Sequence, residues 1–512
     1  MKKMSAWASA LVLVVSAARA DVKPNVLFQN GAVLQRDMAV PVWGTAREGE
    51  KVTVTLEGNG RPETVSTTGA GGKFMVKLKS HKAGGQYTLT VKGDNEVVVR
   101  DVTFGDVWIC SGQSNMQWSI MQSGNPEKAL AEADDPTMAT RLKLFTVTRR
   151  GVDAPESDLT PAPARNENTW VGCTRATLGN FSAVAYYFGR DLNQALNVPI
   201  GIISTNVGGT PAEAWTSRPV LTAQFPELIK GYDTAVANYP NALKAHEEAA
   251  AKAKAENKPA PRAPGNPSAS MQRPCGLYNA MITPLAPYAI KGAIWYQGES
   301  NAGRAYQYRT LFPAMIKNWR DLWGQGDFAF LFVQLAPFMA IVNEPHESAW
   351  AELREAQLLT LKASPKTGMA VITDVGDPVD IHPKAKEPVG ARLALAARAI
   401  AHGERIVYSG PVYKSMAVTG DKAVLTFDHV GGGLAADGEL KGFAIAGEDQ
   451  KFVNAQAKLD GNKVVVWAAS VSKPVAVRFG WANCPVVNLA NKEGLPATPF
   501  RTDDFAMLTK PK

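Results

Sequence analysis

Four short segments of the chain carry side chains suited to acyl transfer, and each directly follows a compact apolar run. The run Asp106 to Cys110 leads into Ser111-Gly112-Gln113-Ser114-Asn115-Met116. A serine just past a strand, with a glycine before it, can present its hydroxyl above a sheet edge as a nucleophile. The run Ile202 to Asn206 ends in Val207-Gly208-Gly209-Thr210-Pro211, whose paired glycines let a backbone N–H approach a developing oxyanion closely. The run Ala293 to Tyr296 ends in Gln297-Gly298-Glu299-Ser300-Asn301, two amide donors and a carboxylate in five residues. The run Met369 to Thr373 leads into a loop in which Asp374, Asp377 and Asp380 precede His382, one of six histidines in the chain. An imidazole oriented by a carboxylate, and neutral near pH 7, is what a general base requires. His346, in NEPHESAW after another apolar run, is the rival base.

Taken singly, these residues have plainer uses: a serine as turn former or helix cap, a glycine pair as a tight turn, a lone histidine as a packed side chain. Together they gain meaning only if one frame brings them to the same edge. From Phe104 to about Gly403, apolar runs (DVWIC, IGIIST, GAIWY, FAFLFVQL, GMAVITD) alternate with helical stretches such as SAVAYYFGRDLNQAL and EPVGARLALAARAIAHG. That alternation predicts a mostly parallel sheet covered on both faces, with ligands at the carboxyl ends of its strands. Residues 21–103 and 404–512 instead show short alternating segments between Gly, Asn and Asp turns, so a β region is expected on either side of a domain spanning 104–403. An insertion at about 216–273 interrupts that domain; within it Lys244 to Pro267 reads as an exposed helix leading into a Pro-rich loop, either solvated or forming one wall of a cleft.

Composition narrows the function. In 512 residues, 45% hydrophobic and 20% charged, a formal charge of +8 without a long basic run excludes disorder and makes nucleic acid a poor partner. Residues 1–20, MKKMSAWASALVLVVSAARA, have the two lysines, short apolar stretch and Ala18-Arg19-Ala20 of a signal peptide. Export to the periplasm or outside the cell is therefore expected, with no membrane span after cleavage, and loss of Lys2, Lys3 and Arg19 lowers the charge to +5. Cys110, Cys173, Cys275 and Cys484 form no C-x-x-C, so no zinc cluster is indicated, although an oxidising compartment leaves room for one disulfide.

The ordered segments SGQSNM, VGGTPAEAW, WYQGESN and DIHP resemble the sialate O-acetylesterase family of SGNH hydrolases, as do NGAVLQRDMAVPVWGTA, GLYNAMITPL, LREAQ and GWANCPVVNLANKEGLPATPFRTD. The resemblance covers nearly all of the mature chain. It implies a flavodoxin-like three-layer α/β/α domain with a parallel sheet, flanked by N- and C-terminal β-sandwich-like domains. It also implies a serine carbohydrate O-acetylesterase with no metal or organic cofactor, acting on an acetylated sugar or glycan. Ser114 matches the nucleophile and one oxyanion donor, Gly209 (or Gly208 beside it) the glycine donor, and Gln297 or Asn301 the amide donor. His382 matches the base. The family spacing D-x-x-H would place an acid at 379, which here is Val, so Asp380 is the first candidate to orient the ring, followed by Asp377, Asp374 or Glu299. Arg304, Tyr306, Trp215 and Arg354 lie in or near these segments as candidate sugar contacts. Sialic acid is the first substrate choice, with acetylated xylan, xyloglucan or another polysaccharide as the alternative. A non-catalytic carbohydrate-binding surface protein is the competing class, opposed by the joint presence of Ser114, His382 and the donor segments.

Overall fold

In the computed structural model, which describes residues 21–58 and 60–511, one strand of 17 residues, β1 (Glu96–Gly112), runs from the N-terminal β region into the large central sheet. The leader expected at 1–20 lies outside the described residues. Up to Thr103, β1 mixes exposed and half-buried residues with buried Val99 and Val102 and pairs antiparallel with Gly84–Lys92; from Phe104 to Gly112 every residue is buried. The first half therefore has the pattern of a sheet with one wet face and the second that of a strand covered on both sides. The backbone is continuous across residues 103 and 104, where sequence reading placed a boundary, so the two regions share a hydrogen-bond ladder. Val33–Gln35 adds a parallel rung at Thr103–Gly105.

The strands that follow are β2 (Leu142–Thr146), β3 (Trp170–Gly172), β4 (Ile200–Asn206), β5 (Gly292–Tyr296), β6 (Ala329–Val333) and β7 (Thr367–Ala370). They lie in the order β3-β2-β4-β1-β5-β6-β7 within an 11-stranded mixed sheet. Only β3 pairs antiparallel among these seven. Register puts Asn206 of β4 and Tyr296 of β5 level with Gly112 of β1, so three strands end together. The chain leaves β1 for one side of the sheet and later fills the other, which makes the crevice beyond Gly112 a topological switch point, where α/β sheets bind ligands.

Alternate strand residues enter two cores. Val107, Ile109, Trp295, Phe330 and Phe332 pack with helices α2 (Ala305–Trp323) and α3 (Ala349–Ala363), while Trp108, Cys110, Ile202, Ile294 and Leu331 pack with α1 (Ala183–Leu196) and α4 (Glu387–Ile400). Val184, Tyr187, Phe188 and Leu192 give α1 its apolar stripe at helical spacing, and Ser182 caps its start by accepting the Ala185 N–H. The chain is thus mixed α/β with one large sheet. The inserted segment holds a 30-residue helix, Pro226–Ala255, in which only Ile229 is buried, followed by an exposed Pro-rich stretch. Two four-stranded antiparallel sheets near the C-terminus enclose a third core built on Leu425, Val464, Ile445 and Phe479. All four cysteines are buried free thiols, so the disulfide left open by the sequence is not formed.

Candidate active site

The turn after β1 is built around a glycine. Gly112 has φ +139°, and a Cβ there would lie 2.1 Å from the Tyr296 carbonyl oxygen of β5. With the strand stopped by this close approach, Ser114 opens a short helical turn, Ser114–Gln117, at the switch point. His382 arrives from the loop after β7, and its Nε2 is 2.9 Å from Ser114 Oγ. Asp380 Oδ1 accepts the backbone N–H of His382 at 2.8 Å and lies 3.6 Å from the ring Nδ1. Asp377 shapes the same loop by accepting the N–H groups of Val379 and Asp380. The Trp118 ring stacks on the imidazole, centroids 4.4 Å apart and 11° from parallel. Burial holds the His382 pKa below the usual histidine value, the charge of Lys386 acts the same way, and Asp380 opposes both. A neutral ring with its proton on Nδ1 leaves Nε2 free to accept from the serine hydroxyl.

The other candidate acids are committed elsewhere. Asp374 binds the Arg392 guanidinium through both oxygens, and Glu299 accepts from Asn115. Val379, where the family spacing expects the acid, is 87% exposed, so a side chain at that position points into solvent. His346 lies on an exposed loop with Nδ1 on the Glu344 carbonyl. It lines a cavity of about 560 Å³ between residues 341–347 and the C-terminal β segments, and neither Ser114 nor His382 borders that cavity.

Of the two glycines after β4, Gly208 is the one against Ser114: a Cβ on it would sit 3.4 Å from Ser114 Cβ. Its N–H donates to Gln117 Oε1 at 2.8 Å. Gly209 has φ +70° and its carbonyl accepts from Gln272 at 2.8 Å, so the returning arm of the insertion reaches the rim of the site. The expected amide donors are not free. Gln297 donates to Asn301 Oδ1 and the Thr210 carbonyl and accepts from Tyr308; Asn301 accepts the Ala212 N–H and donates to Glu213. Both are buried, and they brace the end of β5 against the segment after β4.

Two of the candidate sugar contacts are corrected by burial. Trp215 is fully buried, with Nε1 on Thr210 Oγ1, and offers no platform for a ring. Arg354 is fully buried and donates to the carbonyls of Leu335, Ala336, Ala482 and Asn483, so it staples the C-terminal segment to α3 instead of binding a carboxylate. Arg304 is half-buried and paired with Glu213, and Tyr306 lies under Arg309 and Lys510. Sequence reading did not single out Gln117, Trp118, Asn115 or Lys386. The first three sit within four residues of Ser114 and proximity could have flagged them; Lys386, at the start of α4, carries no such signal.

Three comparisons place the chain among known proteins. Residues 263–399 match the family described as carbohydrate esterase, sialic acid-specific acetylesterase. The sialate O-acetylesterase of Rattus norvegicus is 30% identical, covering 92% of this chain and 93% of its own, and that of Mus musculus is 31% identical with the same coverage. Among solved structures, a carbohydrate acetylesterase from Xanthomonas citri superposes with a TM-score of 0.79 at 40% identity, over 94% of this chain and 100% of that one.

Proposed function

The chain belongs to the sialate O-acetylesterase family, and from that premise we propose that it is an exported serine esterase that deacetylates sugars through Ser114 and His382. It is a carboxylic ester hydrolase acting on O-acetylated carbohydrate. The observation that carries the mechanism is the 2.9 Å contact between Ser114 Oγ and His382 Nε2 at the switch point of the sheet.

In the first step Ser114 Oγ attacks the acetyl carbonyl as its proton passes to His382 Nε2, and the ring is steadied by Asp380. The Ser114 N–H and the Gly208 or Gly209 N–H hold the tetrahedral oxyanion, which requires Gln117 to release Gly208 when substrate enters. His382 then gives that proton to the departing sugar oxygen, which leaves as the hydroxyl, and a water deprotonated by the same ring attacks the acetyl-Ser114 ester and frees acetate. The sheet with helices on both faces supports the three-layer SGNH arrangement, and the two antiparallel sheets around the C-terminal core support a sandwich-like domain there. Sialic acid is the preferred sugar, on the family relatives; acetylated xylan or a related polysaccharide is the second reading, consistent with the Xanthomonas citri neighbour, whose description as a carbohydrate acetylesterase names no particular sugar. The leader at 1–20 carries the export reading.

The test is hydrolysis of p-nitrophenyl acetate by the purified mature protein. Ser114→Ala is expected to lower kcat by roughly 10³-fold or more. His346→Ala should leave turnover intact. Unchanged turnover in Ser114→Ala removes the serine mechanism. Acetate release from 9-O-acetylated sialic acid against acetylated xylan then decides the sugar.

A further inference from the structure

Asn115, the residue after Ser114, has a fully buried amide whose hydrogen bonds reach three residues on two other segments. Its Nδ2 donates to Glu299 Oε1 at 2.6 Å and to the Ile381 carbonyl at 3.0 Å, and its Oδ1 accepts from Lys386 Nζ at 2.5 Å. Ile381 adjoins His382, so one amide joins the Ser114 turn to the backbone that carries the base. Lys386 is only 1% exposed, and Glu299 Oε2 is out of solvent with no partner among the described residues. Lys386 Nζ also lies over the rings of Tyr296, at 5.4 Å, and Trp118, at 6.0 Å, the same indole that stacks on His382. A buried ammonium and a half-buried carboxylate with one oxygen out of solvent are thus bridged by one amide. Burying either charge is costly, and an apolar side chain would fill the Lys386 site without that cost. Packing alone does not account for a lysine there.

We propose that Lys386, acting through Asn115 with Glu299 as counter-charge, is a positioning residue that locks the Ser114 turn to the His382 loop. This rests on the Ser114–His382 reading above. The charged groups facing Lys386 are Glu299, from the segment after β5, and Asp380 and His382 from its own loop; Trp118 and Tyr296 supply only ring faces. Burial brings the Lys386 pKa down to about 7 against the opposing pull of Glu299 and Asp380. Below that pH the ammonium is charged in the range where His382 would take up a proton, and repulsion between the two keeps the imidazole free as a base. The relay therefore has an electrostatic consequence as well as a geometric one.

The experiment is the pH profile of kcat/KM on p-nitrophenyl acetate for the wild-type protein, Lys386→Met and Asn115→Ala, with Ser114→Ala in the same series. Lys386→Met is expected to move the acid limb up by about half a pH unit or more, so activity falls further near pH 6 than near pH 8. Asn115→Ala is expected to lower kcat about tenfold or more with KM changed less than about twofold, because positioning and not binding is lost. If Lys386→Met does not fold, Lys386→Gln, which can still donate to Asn115 but has no charge, reads the same limb. An unmoved limb with an inactive Ser114→Ala overturns the relay alone, whereas an active Ser114→Ala overturns the serine reading beneath it.

Discussion

His382 and His402 each lie beside an aspartate, at 3.6 Å and 3.5 Å, near opposite ends of the parallel strands. The separations are alike and the surroundings are not. Asp106, where the covered half of β1 meets β4, is fully buried, and its Oδ1 accepts from Arg36 Nε and Gln35 Nε2 while Oδ2 accepts from Arg36 Nη2. A carboxylate held by a two-pronged guanidinium is saturated. His402 Nε2 beside it has no hydrogen-bond partner among the described residues. The cluster ties Gln35 and Arg36 of the N-terminal region to the sheet, and Gln35 also accepts the Val107 N–H. Asp380 is 41% exposed, holds one backbone N–H of the His382 loop, and leaves the other ring nitrogen of His382 against Ser114. A histidine–aspartate distance therefore does not by itself mark a catalytic pair; the proposed pair differs in that Asp380 holds a single loop segment and a serine hydroxyl sits on the far ring nitrogen.

The widest gap between the two ends should appear in activity. His382→Ala is expected to reduce kcat/KM on p-nitrophenyl acetate by about 10³-fold or more with the fold retained. His402→Ala should stay within about twofold of the parent, since it is remote from Ser114 and its cost falls on stability. Comparable losses in both would erase the distinction between the two ends.

Asp380→Asn sharpens the comparison at the active end. The amide oxygen still accepts the His382 N–H, so the loop keeps its shape while the charge is lost. A buried, closely bonded aspartate in such a role can be worth about 10⁴-fold in kcat. Here the carboxylate is half exposed and 3.6 Å from the ring, so a smaller loss, about 10- to 100-fold, is expected in steady-state kcat.

What the sequence discloses differs between these same regions. Strands β1, β4, β5 and β7 were legible as apolar runs, and Ser114 and His382 because each follows one at the edge where ligands bind. The pairing of Asp106 with Arg36 and His402 was not, since it joins residues far apart in the chain at the edge where no chemistry is sought. Gln297, Asn301, Trp215 and Arg354 are ambiguous in the sequence for a related reason: amides, indoles and guanidiniums serve substrates and buried frameworks equally well, and only burial separates the uses. In the structure all four satisfy or fill the interior. The continuity of β1 through residues 103 and 104 was hidden because the burial pattern changes there while the backbone does not.

The smallest expected effect lies at the inactive end and concerns acid stability. Burial, reinforced by Lys291 and Arg36 and opposed by Asp106, lowers the pKa of His402 to about 4 from the ordinary 6.5. Below about pH 6.5 the unfolded chain binds a proton that the folded chain refuses. The stability present above that pH is thus progressively lost as the pH falls toward 4, by about 1–3 kcal/mol for this one group. His402→Gln removes the group from both states, so urea unfolding midpoints between about pH 7 and pH 5 should fall less steeply in the variant than in the parent, the difference amounting to about 1 kcal/mol or more. Any contribution from His382, also lowered in the folded state, is common to both proteins and cancels. Equal slopes would mean that His402 accepts its proton readily beside Asp106, and that the carboxylate there is less fully committed to Arg36 than its hydrogen bonds indicate.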